Sequence, residues 1–281
     1  MSGSVISLEY RGRLAIITID NEKKLNALNQ QGYYDLSQRL REVATHDEVY
    51  ITLLTAKGRY FSAGADVSLF PAAAAPKPGQ TRDEADEVRR EWLTTFVAFN
   101  LNVTQAFFTH PKVLVVGLNG PVVGLSAALV AFADFIYCTP SAFLLTPFSS
   151  LGLVTEGGAS HALVQRLGVS RANEALIMSR RIPAAELLAS GFVNKVFEGC
   201  EGDGGDAKFR EKVLAEIDSS FGEHLVGDSL VGIKALIRRP HMDVLERQNA
   251  AEVFAGLERF VSGVPQKEFA KIASGQKRHK L

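Results

Sequence analysis

The segment from Pro147 to Ser160, PFSSLGLVTEGGAS, combines the residue types that a proton-transfer site needs. An apolar run precedes a single carboxyl group, Glu156, and two glycines follow it. A lone acid that is held by a turn in apolar surroundings can exchange protons near neutral pH. A helix-capping acid is the alternative interpretation of the same residue.

The surroundings of Glu156 should act on its carboxyl in opposite directions. A helix that begins after Gly157 and Gly158 would lower the pKa, because helix N-termini favour negative charge. Apolar neighbours such as Leu153 and Phe148 would raise the pKa, because they disfavour the charged form. The sequence leaves both outcomes open.

Two earlier glycine-rich turns, Ala63–Val67 and Gly117–Leu125, could supply hydrogen-bond donors to the same place. Gly64 and Gly124 allow the backbone to approach a ligand closely. N–H groups in the first turn of a helix lack intrahelical partners and point outward. Two such donors aimed at one oxygen form an oxyanion hole. Glycine turns are common, so a purely structural function also remains open.

The elements that must position these groups alternate between strands and helices. Runs of β-branched residues bounded by turn formers predict strands, and apolar residues at helical spacing predict helices. The predicted strands are Val5–Tyr10, Leu14–Asp20, Tyr50–Ala56, Val113–Leu118, Phe135–Cys138 and Ala142–Leu145. The predicted helical segments are Asn29–Ala44, Asp83–Phe108 (one or two helices), Ser126–Phe132 and His161–Leu167. Pro71–Gly79 has three prolines and is predicted to be a mobile surface segment.

This alternation predicts an α/β domain over residues 1–198 and a helical region over residues 199–281. The segment Gly199–Asp206, GCEGDGGD, is interpreted as the linker between them. Apolar residues at helical spacing after it, such as Val213, Ile217 and Leu257, indicate a helical cap or an oligomer surface.

Composition excludes several classes of function. The chain has 281 residues with 31 basic and 31 acidic side chains, so no net charge favours nucleic acid or a membrane surface. Cys138 and Cys200 form neither a disulfide framework nor a metal-ligand cluster, so no metal site is expected. The apolar run Val113–Val130 is interrupted by glycine and proline, which argues against a membrane span. The N-terminus lacks the layout of a signal peptide.

The C-terminal His279-Lys280-Leu281 shares its last two residues with the peroxisomal address Ser-Lys-Leu. An import receptor reads that address at a free C-terminus. His279 departs from the small residue preferred there, so a solvated basic tail on a cytoplasmic protein is the alternative to a peroxisomal location.

Three motifs in order resemble the crotonase (enoyl-CoA hydratase/isomerase) superfamily: AGAD at Ala63–Asp66, NGPVVGLSAALV from Asn119, and LGLVTEGGAS from Leu151. The resemblance covers about residues 5 to 260 and is strongest to the fungal peroxisomal Δ3,Δ2-enoyl-CoA isomerases. It implies an α/β fold of ββα units wound into a spiral, with a C-terminal helical region that forms a homotrimer or hexamer. It also implies acyl-CoA thioester substrates, with coenzyme A belonging to the substrate and no separate cofactor.

The resemblance also implies functions for individual residues. Glu156 matches the isomerase base, Asn100 an asparagine close to that base, and the N–H groups of Ala65 and Leu125 the donors to the thioester oxygen. Asp66 is expected to cap a helix rather than to act as an acid. The residues expected to contact the substrate or its CoA are Lys24, Asn26, Ala27, Ala63, Gly64, Ala65, Asp66, Val67, Leu125 and Phe148.

Departures from the hydratase pattern indicate the activity. Hydratases of this superfamily use two glutamates to activate water, and the matching positions here are Ala128 and Phe148. Phe148 also removes an acid expected of a dienoyl-CoA isomerase. The resemblance therefore implies that 3-cis- or 3-trans-enoyl-CoA is converted to 2-trans-enoyl-CoA by proton transfer from C2 to C4, in β-oxidation of unsaturated fatty acids. An enoyl-CoA hydratase and a catalytically silent acyl-CoA-binding protein are the alternatives. The sequence gives no acyl chain-length preference.

Overall fold

The computed structural model of the chain describes residues 4–66 and 81–277. Val67, the proline-containing segment Pro71–Gly79 and the tripeptide His279–Leu281 lie outside these residues, so the predictions made for them remain predictions.

Six strands form the main sheet, in the order β1-β2-β3-β4-β6-β9. Only the β1–β2 pair is antiparallel; every other neighbouring pair is parallel. A second sheet has the order β5-β7-β8. The strands are β1 Ile6–Arg11, β2 Leu14–Ile19, β3 Ile51–Ala56, β4 Val113–Leu118, β5 Val122–Val123, β6 Phe135–Cys138, β7 Phe143–Leu145, β8 Ile182–Pro183 and β9 Lys195–Val196.

Ten α-helices surround these sheets in the described part of the chain. A single wide π-helical turn, Leu93–Val97, joins α2 to α3, so the segment predicted as one or two helices is nearly continuous. The helices are α1 Gln30–Ala44, α2 Arg82–Trp92, α3 Ala98–Phe108, α4 Gly124–Leu129, α5 Ala159–Leu176, α6 Ala184–Ala189, α7 Gly205–Ser220, α8 Gly227–Arg238, α9 Met242–Val261 and α10 Val264–Ala273.

Strands β2, β3 and β4 are buried along their entire length because helices cover both faces of the main sheet. Helix α1 contributes Leu36, Leu40 and Val43 to one side, as their spacing predicted. Helix α7 covers the opposite side with Phe209 and Val213, among others. All six predicted strands are present within one residue at each end. The α/β fold of ββα units with a C-terminal helical region is therefore confirmed.

The region after residue 198 shares its core with the sheet. Helix α7 packs against the buried faces of β2, β3 and β4, and α9 packs against α3 and α5. The segment predicted as a linker ends earlier than expected, because α7 begins at Gly205. The carboxylate of Asp206 accepts a 2.7 Å hydrogen bond from the N–H of Gly58, which attaches the start of α7 to the turn after β3.

Two helices differ from their predicted extent. Helix α5 begins at Ala159, two residues before the predicted start, and continues to Leu176 through a kink at Gly168. Helix α4 begins at Gly124 rather than at Ser126, which places Leu125 in its first turn. No helix in the described ranges is both long and apolar enough to cross a membrane.

Candidate active site

A cavity of about 500 Å³ lies where β5, α4 and the loop before α5 meet the C-terminal helices. Most of its lining is apolar, and two carboxyl groups, Asp66 and Glu156, belong to it. Residues from the three motifs and from the C-terminal region together line this cavity. The lining comprises Lys24, Ala27, Ala63, Gly64, Ala65, Asp66, Phe96, Phe99, Val123, Gly124, Leu125, Pro147, Phe148, Leu151, Leu153, Glu156, Phe260, Phe269, Ile272 and Ala273.

The first glycine turn presents the N–H of Ala65 to this cavity. The N–H of Leu28 donates to the carbonyl oxygen of Gly64, and the N–H of Asp66 donates to that of Leu28. In this parallel bridge, Leu28 bonds to the carbonyl of Gly64 and the N–H of Asp66, the residues before and after Ala65. The N–H of Ala65 itself therefore faces away from Leu28. Within the described residues, this N–H donates to no other backbone group. It is free to bind a ligand oxygen.

The second glycine turn presents the N–H of Leu125. Leu125 is the second residue of α4, and the residue before this helix, Val123, makes no side-chain capping hydrogen bond. An N–H in a first helical turn has no carbonyl oxygen within its own helix to bind. The two predicted donors therefore both border the cavity, as an oxyanion hole requires.

The two turns contact each other directly. The N–H of Val123 donates to the carbonyl oxygen of Ser62 over 2.9 Å. Gly64 has a φ of +89°, and a Cβ on it would lie only 2.9 Å from the carbonyl oxygen of Val123. Glycine is therefore required at position 64 for both backbone conformation and space.

A buried hydrogen-bond chain beneath the turns holds them together. The hydroxyl of Ser62 donates to the carbonyl oxygen of Asn26 and accepts from the N–H of Gly64. Its one proton is thus used, so the hydroxyl of Ser126, 2.8 Å away, must donate to it. Tyr33 in turn donates to Ser126 over 3.0 Å. Helices α1 and α4 and both turns are joined by this chain.

Glu156 enters the cavity from the loop between β7 and α5. Gly157 and Gly158 follow it with φ values of +70° and +71°, and neither has room for a side chain. A Cβ on Gly157 would lie 2.8 Å from both Ala128 and Leu125, and one on Gly158 would lie 2.6 Å from Phe132. The two glycines therefore allow the loop that carries Glu156 to pack closely on α4 and on Phe132 after it.

Asn100 holds the carboxyl of Glu156. The side-chain amide of Asn100 on α3 is fully buried and donates a 2.7 Å hydrogen bond to Oε2 of Glu156. The family resemblance implied that these two residues would lie together, and they do. Asn100 does not itself line the cavity, so it contacts the acid from behind.

Burial dominates the electrostatics of Glu156. It raises the pKa of this carboxyl from the ordinary value of 4.5 to about 7, against the hydrogen bond from Asn100, which lowers the pKa. The negative charge of Glu252 on α9 raises the pKa further. The opposing effects expected from the sequence are thus resolved in favour of the apolar surroundings.

Glu252 was not predicted from the sequence. Its buried carboxylate accepts hydrogen bonds of 2.7 Å from the N–H groups of Gly158 and Ser160, at the N-terminus of α5. One signal could have identified it. Asn249 and Glu252 share helical spacing with the buried Leu245 and Gly256, so two polar side chains lie on a buried helix face.

The residues predicted to bind CoA divide into two groups. Lys24 and Ala27 line one end of the cavity, where the Lys24 ammonium forms a 2.7 Å salt bridge with Asp66. The side chain of Asn26 is buried and does not line the cavity. It donates to the carbonyl oxygens of Lys57 and Tyr60 and accepts from the N–H of Asn21. These bonds use both amide hydrogens of Asn26, so its side chain holds the loop that carries Lys24 and Ala27.

The positions that carry acids in hydratases are apolar here. Ala128 is buried under Gly157, and Phe148 is buried in the cavity wall. Aromatic residues that the motifs did not single out complete the wall: Phe96, Phe99, Phe260 and Phe269. The cavity therefore offers an apolar lining for a hydrocarbon chain, and the two backbone N–H donors and the Glu156 carboxyl border it.

Comparisons with known proteins agree with this geometry. The model of a family described as enoyl-CoA hydratase/isomerase matches residues 9–201. The chain is 72% identical, over the full length of both, to a Δ(3,5)-Δ(2,4)-dienoyl-CoA isomerase of Pyricularia oryzae. It is 36% identical to a 3,2-trans-enoyl-CoA isomerase of Saccharomyces cerevisiae, covering 98% of this chain and 96% of the relative. An enoyl-CoA hydratase/isomerase of Pseudoalteromonas atlantica, 25% identical, superposes with a TM-score of 0.78 over 99% of this chain and 100% of that one.

Proposed function

Because the chain belongs to the enoyl-CoA hydratase/isomerase family, we propose that it moves a carbon–carbon double bond along the acyl chain of an enoyl-CoA. The observation that carries this proposal is the carboxyl of Glu156, which Asn100 holds in an apolar cavity that two backbone N–H donors also border. Both relatives compared above are named as isomerases of this kind.

The reaction proposed is the conversion of a 3-enoyl-CoA to the 2-trans-enoyl-CoA. The thioester oxygen accepts hydrogen bonds from the N–H groups of Ala65 and Leu125. Glu156 removes a proton from C2, and the electron pair of the broken C–H bond delocalises over the dienolate. The protonated carboxyl then returns its proton to C4, so that the double bond lies between C2 and C3. No atom is gained or lost, and neither water nor a redox cofactor takes part.

The geometry and electrostatics suit each step. An oxyanion donor of this kind typically contributes about 3 to 4 kcal/mol to transition-state stabilisation. A carboxyl whose pKa is raised to about 7 exists in both protonation states near neutral pH. Such a group serves equally as the base for C2 and the acid for C4.

Isomerisation of a 3,5-dienoyl-CoA to a 2,4-dienoyl-CoA is a second candidate. The 72% identical relative bears the name of that activity, which is the specific observation in its favour. This reaction delivers a proton to C6, two bonds beyond C4. Glu156 would have to reach farther, because Phe148 offers no second acid and the Asp66 carboxylate is bound to Lys24.

The remaining alternatives follow from the same cavity. Hydration needs a group that activates water, and Ala128 and Phe148 cannot do so. A catalytically silent acyl-CoA-binding protein would bind the thioester without needing Glu156 to change protonation state. We favour isomerisation because the acid borders the cavity and its pKa suits proton exchange.

The proposal extends to the substrate's CoA, to assembly and to location. Lys24 and Ala27 would lie against the CoA, with Asn26 fixing their loop. A homotrimer or hexamer is proposed because α8 exposes apolar side chains, including Ile233, Leu236 and Ile237. Import into peroxisomes would depend on a receptor that reads the tail His279-Lys280-Leu281.

A substrate panel tests the proposal. Purified protein is incubated separately with 3-hexenoyl-CoA, 2-hexenoyl-CoA and a 3,5-dienoyl-CoA, and the gain or loss of conjugated absorbance is followed. The proposal predicts that 3-hexenoyl-CoA gains conjugation rapidly and that 2-hexenoyl-CoA is not hydrated. Faster conversion of the 3,5-dienoyl-CoA would establish the second candidate. Binding of all three without turnover would contradict isomerase activity altogether.

A further inference from the structure

Two carboxyl groups lie on either side of the Gly157–Gly158 turn, and their surroundings differ. Glu156, just before the turn, receives one side-chain hydrogen bond, from Asn100. Glu252 reaches the same turn from α9 and receives the N–H groups of Gly158 and Ser160, each over 2.7 Å. The donors at the N-terminus of α5 are therefore bound to Glu252, not to the acid that borders the cavity.

We propose that Glu252 is a positioning residue of the isomerisation site: it binds the N-terminal donors of α5 and so keeps Glu156 available for proton exchange. The inference rests on the proposed function and adds a residue outside the cavity to it. Without Glu252, the helix N-terminus would be open to the carboxylate of Glu156, which precedes it by only a few residues.

The hydrogen bonds indicate which carboxyl is charged. Oε2 of Glu252 accepts from Gly158 and Oε1 accepts from Ser160, so both oxygens face N–H donors. A protonated carboxyl would have to place its O–H against one of these donors. Burial is the largest effect on Glu252 and raises the pKa of its carboxyl, and the hydrogen bonds from Ser160, Gly158 and Ala159 oppose this rise because they stabilise the ionised form. Among residues 4–66 and 81–277, the carboxyl of Glu156 receives one hydrogen bond, from Asn100, so Glu156 is the member of the pair that takes up the proton.

The charge of Glu252 acts on Glu156 in two ways. Its electrostatic repulsion disfavours the ionised form of Glu156 and raises the pKa of that carboxyl. Its occupation of the α5 N-terminus also prevents the stabilisation that a helix N-terminus gives to a nearby anion. Both effects keep the pKa of Glu156 near neutral pH rather than at the ordinary acidic value of a carboxyl group.

Other groups around the pair leave this arrangement intact. In the described part of the chain, no cation forms a salt bridge with Glu156 or Glu252. On α9, Glu258 pairs with Arg89 of α2, and Arg259 donates to the carbonyl oxygen of Gly152. On α1, the pKa of Tyr33 is raised by burial, so the phenol stays neutral.

Neighbouring polar side chains on α5 and α9 also have partners of their own. Gln248 on α9 donates to the hydroxyl of Ser160. His161, next to Ser160, lies against His241 with ring centroids 5.7 Å apart. Burial lowers the pKa of His161, which favours its neutral form. These contacts supply no charge that would replace Glu252.

The first experiment compares pH profiles of kcat/KM for the wild type, Glu252→Gln and the matched control Glu258→Gln. Glu258 lies on the same helix but is exposed and paired with Arg89. We expect Glu252→Gln to move the acidic limb to lower pH by about one unit, and Glu258→Gln to leave it in place. An acidic limb that stays in place in Glu252→Gln would overturn the proposal.

The second experiment needs neither activity nor a Glu252 variant. Amide proton shifts of Gly158 and Ser160 are followed by NMR from pH 5 to 9 in the Glu156→Gln protein. We expect no titration step in this range, because Glu252 stays ionised. A step near neutral pH would show that Glu252 carries the exchangeable proton, and the proposal would be wrong even if isomerase activity is established. If the wild type has no isomerase activity, a flat titration still supports the two-carboxyl arrangement and only the proposed function fails.

Discussion

A residue that removes and returns the same proton works best when its two protonation states differ little in free energy. Glu156 meets this condition because its burial raises the pKa to about 7, while Asn100 stabilises the ionised form enough to limit the rise. The pKa of Glu156 is therefore set by burial, which raises it most, by the amide of Asn100, which lowers it, and by the charge of Glu252, which raises it further.

Removing the amide tests that balance. Asn100→Ala deletes the hydrogen bond that lowers the pKa of Glu156, so the acidic limb of kcat/KM should move above pH 7, by roughly half to one unit. Asn102→Ala is the matched control, because Asn102 lies on the same helix and donates to Ser37 instead. A limb that moves equally in both variants would contradict the assigned contact.

The raised pKa also predicts how stability depends on pH. The folded state binds the proton of Glu156 more tightly than the unfolded state, whose carboxyl has a pKa near 4.5. The contribution of Glu156 to the free energy of unfolding is therefore fully present below about pH 4.5 and is lost as the pH rises through about 7. Glu156→Gln removes this loss, so it should raise the free energy of unfolding by about 1 to 3 kcal/mol at pH 8.

Urea unfolding of both proteins at pH 5 and pH 8 measures this difference. The stabilisation by Glu156→Gln should be smaller at pH 5, where the wild-type carboxyl is mostly protonated in the folded state. An equal difference at the two pH values would show that the pKa of Glu156 is not raised by folding.

At the scale of elements, the site depends on two turns that contact each other through glycine. Gly64 touches the carbonyl group of Val123, so the strand segment β5 and the turn after Phe61 approach more closely than side chains allow. The chain of hydroxyls from Tyr33 through Ser126 to Ser62 fixes the same contact from below. These contacts hold the turns that carry the N–H groups of Ala65 and Leu125 against each other at the border of the cavity.

Gly64→Ala tests this contact. The added Cβ would lie 2.9 Å from the carbonyl oxygen of Val123, so the turn must shift and the N–H of Ala65 with it. Loss of one donor should lower kcat by about 100- to 1,000-fold. Gly12→Ala is the control, because Gly12 also has a positive φ, +56°, but has open space around it. Similar losses in both variants would indicate general destabilisation instead.

Much of this arrangement could be predicted from the sequence, and the limits have physical causes. LAIITI and VLVVGL indicate strands because burial on both faces favours an almost continuous run of apolar residues. The start of α5 was placed too late, because two glycines with positive φ precede it. Glu252 contacts a turn nearly a hundred residues away, and no local pattern encodes such a contact. The resemblance placed Asn26 in a loop against the CoA, and its motif could not show that its amide donates to the carbonyl oxygens of Lys57 and Tyr60.

At the scale of the molecule, the C-terminal helices complete both the core and the cavity. Helix α7 closes one face of the sheet, α9 carries Glu252 to the catalytic turn, and α10 lines the cavity with Phe269 and Ile272. Helix α8 differs because it leaves large apolar side chains in solvent. An exposed apolar face of this kind is typical of an interface.

Leu236→Glu tests whether α8 forms the proposed interface between copies. Leu236 is 68% exposed on α8, and a charge there should be neutral in a monomer but costly in an apolar interface. We expect light scattering to give a trimer or hexamer for the wild type and a smaller species for the variant. Leu188→Glu, at an exposed position of α6, should leave the mass of the oligomer unchanged. A monomeric wild type would contradict the proposed assembly.

The central claim is that one carboxyl moves the proton from C2 to C4, and Glu156→Gln tests it most directly. The variant keeps the size of the side chain and its ability to hydrogen-bond but cannot exchange a proton. Turnover of 3-hexenoyl-CoA should fall by about 100- to 10,000-fold, with binding of the product 2-hexenoyl-CoA retained. A variant that keeps near-normal turnover of 3-hexenoyl-CoA would contradict the account.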